Sequence, residues 1–171
     1  SNITIISQDW FPLAVGNRSH YAFKSSYQVQ GGSWWHNYLF KTLAVIDTVF
    51  YNSKKYYSVN GFFEFPSGTK VRYDDDSMKV FIYKNNTEYT YMDFALPDGS
   101  ILSQIQPNDT FLPISILSSS IIIMDDTLSV KGFFREATYP DRYKKGWYYF
   151  GPNLGPVYQY EDSNWWMVSL N

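Results

Sequence analysis

Along this chain, apolar and ring-bearing residues come in short bursts separated by turn residues, recurring roughly every 8–12 positions, the spacing of an antiparallel β domain. The bursts are rich in Val, Ile, Thr, Tyr and Phe, side chains that suit a half-buried pleated surface. A helical repeat is weak everywhere. The middle of the chain is the clearest. Lys70–Tyr73 is a strand, Asp74-Asp75-Asp76-Ser77 turns it, and Lys79–Tyr83 returns. Asn85-Asn86-Thr87 turns again and Tyr89–Phe94 is the third strand of a meander. Pro97-Asp98-Gly99-Ser100 follows as a turn, since Pro presets φ, Asp closes an Asx turn and Gly accepts positive φ. Further strands are predicted at His20–Gln30, Phe40–Tyr51, Lys55–Phe63, Ser119–Asp125, Thr127–Glu136, Trp147–Phe150, Val157–Glu161 and Trp165–Leu170. The last three are joined by turns at Gly151–Pro156 and at Asp162-Ser163-Asn164. About ten strands are too many for a small flat sheet. The expectation is one all-β domain over residues 1–171. Its antiparallel, strongly curved sheet forms an open barrel or cup with little helix.

Ring doublets sharpen that expectation. Trp34-Trp35, Tyr56-Tyr57, Phe62-Phe63, Phe133-Phe134, Tyr148-Tyr149-Phe150 and Trp165-Trp166 each place neighbouring rings in sequence. Successive strand residues point to opposite faces, so a doublet in a strand puts one ring on each face. A sheet with one wet face alternates ring with polar residue instead. Both faces of much of this sheet therefore touch something. The second face is covered by Tyr and Trp with wetted tips, by a ligand, or by a partner protein. The positions that answer the question are Trp34, Trp35, Trp147, Tyr149, Tyr158, Tyr160, Trp165 and Trp166. Near the start, Trp10, Phe11 and Leu13 read as a plug for one end of the curved sheet. Pro12 sets its direction, and Gly16-Asn17 turns into the first long strand.

Composition excludes several functions. Net charge is −2 and the aromatic fraction is 20%, so there are many rings but no basic field for nucleic acid. No apolar run approaches the roughly 18 residues of a membrane span. Cysteine is absent, which removes thiol nucleophiles, thiolate metal sites and disulfides. Abundant Tyr, Asn, Ser and Thr with little Ala or Glu fit an extracytoplasmic protein, secreted, periplasmic or a surface lipoprotein. Its targeting segment is expected to lie outside these 171 residues.

Catalytic motifs are missing. No nucleophile elbow, P-loop, dinucleotide fingerprint or H-E-x-x-H occurs. His20 and His36 stand apart without a ligand motif. Asp74-Asp75-Asp76 lacks the alternating spacing of a calcium loop and reads as a turn, and Asp125-Asp126 reads likewise. Glu64, Asp93, Glu136 and Glu161 are the carboxylates that cross-strand pairing can bring together for glycosidase-type chemistry. Glu136 and Glu161 equally suit ion pairs with Arg135, Arg142 or Lys residues on neighbouring strands. No catalytic residue, metal or cofactor is assigned.

Two ends of the chain carry a resemblance. Phe11-Pro12-Leu13-Ala14-Val15-Gly16-Asn17 resembles the FPLxVGN opening of exported β-rich proteins of Bacteroidetes and Ignavibacteria-type bacteria. Tyr148-Tyr149-Phe150-Gly151-Pro152-Asn153-Leu154-Gly155-Pro156-Val157 is similar to their YYFxxGxGxV hairpin. Between them, Tyr56-Tyr57-Ser58-Val59 and Arg72-Tyr73-Asp74 match a YYxV strand and an RxD hairpin. Where that family has Trp two residues after the Asn, this chain has Ser19-His20-Tyr21. The resemblance implies export and a curved β-sheet, with no activity attached. The architecture is also loosely similar to lipocalin-like and lipoprotein-carrier half barrels. The expected function is non-enzymatic, the binding of an apolar or lipid-like ligand in an aromatic-lined cup. A glycan-binding module using exposed rings and an interaction protein without a small ligand are the alternatives.

Overall fold

The computed structural model describes residues 9–29, 32–105, 111–123, 126–138 and 142–165. Within these spans the side chains at 29, 111–115, 117–123, 126, 137–138, 142 and 164–165 lie outside the description. Eleven strands form one sheet: β1 Arg18–Val29, β2 Trp34–Tyr51, β3 Lys54–Asn60, β4 Thr69–Asp74, β5 Lys79–Lys84, β6 Thr87–Asp93, β7 Ile101–Ile105, β8 Phe111–Ile123, β9 Asp126–Thr138, β10 Arg142–Gly151 and β11 Gly155–Trp165. Their order is β6-β5-β4-β3-β2-β1-β11-β10-β9-β8-β7. The sheet curls until its two edge strands meet, where the Gln104 side chain donates to the Tyr91 carbonyl at 3.2 Å. No helix occurs among the described residues. This is the all-β open barrel that the spacing of turns predicts.

Pairing is antiparallel with one exception. β1 and β11 run parallel, with Ala22 opposite Tyr158 and Lys24 opposite Tyr160. The two arms, β1 to β6 and β7 to β11, meet through this pair.

The interior is packed with side chains from almost every strand. Tyr21, Leu43, Val59, Val71, Ile82, Tyr91, Ile105, Ile116, Phe133, Tyr148 and Phe150 form one buried cluster, joined by Phe11, Phe62, Phe65 and Phe94 from connecting segments. Phe11 sits edge-on to Phe62 at 5.5 Å, and Trp10 stacks on Phe94 at 5.3 Å. The opening segment therefore inserts into one end of the barrel.

Several boundaries differ from the sequence pattern. β2 begins six residues before Phe40 and β8 eight before Ser119. β7 was not expected at all, because Leu-Ser-Gln-Ile has little strand signal of its own. Asp162-Ser163-Asn164 is not a turn but part of β11, where Lys145, Lys144 and Tyr143 pair with it on one side and β1 on the other. Two flanking ladders override local turn preference here. The strand expected at Trp165–Leu170 is not a separate element as far as it is described: β11 runs through Trp165, and the remainder lies outside the described residues. Phe62 and Phe63 do not straddle a sheet. β3 ends at Asn60, and both rings turn inward on a loop in which Gly61 and Phe63 have φ of +74° and +48°. Gly61 is required there, since a Cβ would stand 2.0 Å from the Thr42 carbonyl oxygen.

Candidate binding surface on the outer face

Strand alternation divides the closing rings cleanly. Tyr148 and Phe150 are fully buried, so Trp147 and Tyr149 point outward. Gln159 is buried, and Tyr158 and Tyr160 point outward. Register then lines these side chains up across strands. One row runs Phe134, Trp147, Tyr160, Lys24, Tyr38 over β9, β10, β11, β1 and β2. The adjacent row runs Tyr149, Tyr158, Ala22, Phe40. Phe134 to Trp147 and Trp147 to Tyr160 are each 4.9 Å between ring centroids, tilted by 38° and 36°. Tyr149 and Tyr158 lie 6.0 Å apart. The first row spans four inter-strand steps, roughly 19 Å.

Lys24 stands in the middle of this band. Its ammonium lies 5.2 Å from the Tyr38 ring centre and 5.5 Å from that of Tyr160, within cation–π range. Lys24, Trp147, Tyr149, Tyr158 and Tyr160 surround an open hollow of about 280 Å3. Burial raises the pKa of the Tyr149 and Tyr158 hydroxyls, so both are protonated at neutral pH. Below the band, Lys145, Asp162, Ser26 and His36 make a polar row, with Ser26 Oγ 2.8 Å from His36 Nδ1. Tilted rings with hydrogen-bonding neighbours and a central cation can take a twisted, hydroxyl-rich chain by stacking and hydrogen bonding.

The opposite sector of the outer face is also rich in rings, but charged side chains fold over it and Tyr56 is buried. Tyr51 stacks on Tyr83 at 4.2 Å, and Tyr56 packs against both. Glu88 closes over them, accepting from the Tyr56 hydroxyl, from Arg72 and from Lys54 at 2.8 Å. The Arg72 guanidinium lies 4.2 Å from the Phe81 ring centre. Burial and the bond to Glu88 push the Tyr56 hydroxyl up to about 12. In that sector the second face is covered by the protein's own charged side chains.

Of the eight expected ring positions, Trp147, Tyr149, Tyr158 and Tyr160 come together. Trp34 and Trp35 do not join them. Trp35 stacks on Tyr27 at 6.4 Å, and Trp34 lies two rows beyond Lys24 toward the β1–β2 tip. The Trp165 side chain and all of Trp166 lie outside the described residues. Lys24, Phe134 and Tyr38 are members of the band that sequence reasoning missed. The Phe133-Phe134 doublet held a signal for the second, whereas Lys24 is placed only by the parallel β1–β11 register.

The candidate carboxylates divide differently. Glu64 and Glu161 meet inside the barrel mouth through Lys144, which binds Glu64 and lies 3.4 Å from Glu161. The Arg135 guanidinium reaches Glu64 at 2.5 Å. Burial alone raises the Glu64 carboxyl, but Arg135 and Lys144 outweigh it and hold the group at about 2. It is an ionised anchor for two cations, not a proton donor. Gly146 makes room: a Cβ there would stand 3.2 Å from the Tyr148 hydroxyl and 3.4 Å from Arg135 Nε. Asp93 pairs with Lys79 at 3.2 Å, and Glu136 is exposed. His20 Nδ1 lies 2.9 Å from Thr42 Oγ1. No group of three or more His, Asp or Glu suited to a metal occurs among the described residues. Asp74 forms the turn, bonded by Ser77 and 3.6 Å from Arg72. Asp125 and the Asp126 side chain lie outside the described residues. No helix among the described residues is long and apolar enough to cross a membrane.

A second open cleft, about 520 Å3, lies at the rim between Pro12, Arg18, His20, Asn153 and Leu154. Comparison of the chain with protein-family models, with curated proteins and with solved structures finds no match.

Proposed function

We propose that this protein binds a glycan chain on the outer face of its curled sheet, across the band Phe134–Trp147–Tyr160–Lys24–Tyr38. The observation that carries the reading is the contrast between two ring-rich sectors. One is roofed by Glu88, Arg72 and Lys54, while the other sets half-buried rings around an open hollow that holds Lys24. Ring tilts of 36° and 38° favour a twisted single chain over a flat crystalline surface. Binding without catalysis is part of the proposal. So is export to the envelope or cell surface, where extended sugar polymers are met. An apolar ligand inside the barrel is the weaker reading, because Phe11, Phe62, Phe65 and Phe94 already pack the interior.

Affinity electrophoresis through gels holding soluble neutral or acidic polysaccharides tests the proposal. Retardation is expected with at least one polymer. Trp147→Ala is expected to weaken it by roughly fivefold, the effect of losing a ring contact of about 1 kcal/mol. Phe50→Ala removes an exposed ring away from the band and leaves retardation unchanged. Equal retardation of both variants refutes the placement. Protein from its own host that carries a lipid-sized mass in native mass spectrometry, with no polysaccharide binding, favours the interior reading.

A further inference from the structure

We infer that the β2 edge at Trp34–Phe40 pairs antiparallel with the same segment of a second copy, forming a two-fold dimer. β3 pairs with β2 only from Ala44 onward, so among the described residues the first half of β2 is hydrogen-bonded on its β1 side alone. Val45 uses both its N–H and C=O toward Asn17 and Gly16, on the β1 side. The two-residue repeat therefore turns the backbone groups of even positions the other way. The Thr42 carbonyl, facing Gly61 beyond the end of β3, follows that rule. Trp34, His36, Tyr38 and Phe40 thus present N–H and C=O groups to an open edge.

All seven residues of the segment are exposed, with Trp35 at 61%, Tyr38 at 67% and Phe40 at 81%. A long, apolar, uncharged edge is a template for strand addition. What selects a second copy is the sequence itself. Trp-Trp-His-Asn-Tyr-Leu-Phe is matched about Asn37, with Trp34 answering Phe40, Trp35 answering Leu39 and His36 answering Tyr38. Antiparallel pairing with the two-fold at Asn37 sets ring against ring, Trp against Leu, and imidazole against phenol. It also makes hydrogen-bonded pairs of 34 with 40 and 36 with 38, the residues whose backbone groups face the edge. No Asp, Glu, Lys or Arg lies in the segment, so self-pairing opposes no formal charges. Tyr38 ends the outer ring row, and the dimer sets it opposite the partner's His36, the end of the polar row. The dimer does not depend on what that row binds.

Sedimentation equilibrium of the full chain at micromolar concentration is expected to give the dimer mass. Tyr38→Pro deletes an edge-facing N–H and leaves the β1 ladder intact, and it is expected to give a monomer with wild-type circular dichroism. The chain has no cysteine of its own, which allows a direct register test. At the two-fold, a non-hydrogen-bonded pair brings Cα atoms to about 4.5 Å, within disulfide range. Asn37→Cys is therefore expected to form an intermolecular disulfide under mild oxidation. Leu39→Cys, about 13 Å from its own copy in this register, is expected to remain reduced. A wild-type monomer at all concentrations overturns the inference. So does a dimer that cross-links through Leu39→Cys and not Asn37→Cys, whatever the folding of Tyr38→Pro.

Discussion

Replacing Glu64 with Gln keeps the side chain's shape and removes the charge that Arg135 and Lys144 share. Arg135 is 5% exposed, and a buried cation that loses its counter-ion is strongly destabilising. The size follows from the shift of the carboxyl. The Glu64 carboxyl moves from an ordinary 4.5 to about 2 in the folded chain, and each unit is 1.36 kcal/mol, so the ionised group contributes about 3 kcal/mol. A depressed carboxyl stabilises above its unfolded value and loses that contribution as pH falls through the folded one. The window is therefore from about 5 down to about 2. Urea unfolding followed by Trp fluorescence between pH 7 and pH 3 reads both effects. At pH 7 Glu64→Gln is expected to be about 3 kcal/mol less stable than wild type. The gap narrows as the pH falls, because wild type loses what the variant never had. Other carboxylates titrate in both proteins and cancel in the difference. Parallel curves, with the same gap at pH 7 and pH 3, refute the reasoning.

Three further outcomes follow from packing and charge. Phe133→Ala opens the core where Phe94 and Phe150 meet that ring and is expected to cost about 3–5 kcal/mol in urea unfolding. Gly61→Ala is expected to cost more than Gly99→Ala in the same assay. Both have left-handed φ, but a Cβ on Gly61 collides with the Thr42 carbonyl while one on Gly99 meets nothing within 4 Å. Lys24→Gln is expected to weaken retardation by acidic polysaccharides more than by neutral ones, and added salt should shrink the difference.

Much of the fold is legible because pattern and packing agree. The meander from Thr69 to Asp93 is readable since its turns carry Asp, Ser and Asn, with Asn85 and Asn86 in the left-handed region, and its strands alternate. Residues 162–164 mislead because Asp, Ser and Asn favour a turn locally, while ladders on both flanks hold them extended. The Phe62-Phe63 doublet misleads for a related reason: a positive φ at Phe63 breaks the alternation that the doublet argument assumes. The band is half legible. Trp147, Tyr149, Tyr158 and Tyr160 belong to one hairpin, so spacing and alternation put them on one face. Lys24, Tyr38 and Phe40 enter through a parallel register between strands more than a hundred residues apart, which no local pattern encodes. Composition flags the surplus of rings. It does not tell the sector roofed by Glu88 from the open one, because that difference lies in which charges fold over which rings.

Amide chemical-shift mapping, with isotopically labelled protein titrated with the polysaccharide that retards it most, tests the central claim most directly. The account predicts shifts concentrated on β9, β10, β11, β1 and β2 around Trp147, Tyr160 and Lys24, with residues lining the interior, such as Phe62 and Phe150, unmoved. Shifts centred on the Arg18–His20 rim cleft or on the interior rings, with the band silent, would contradict it.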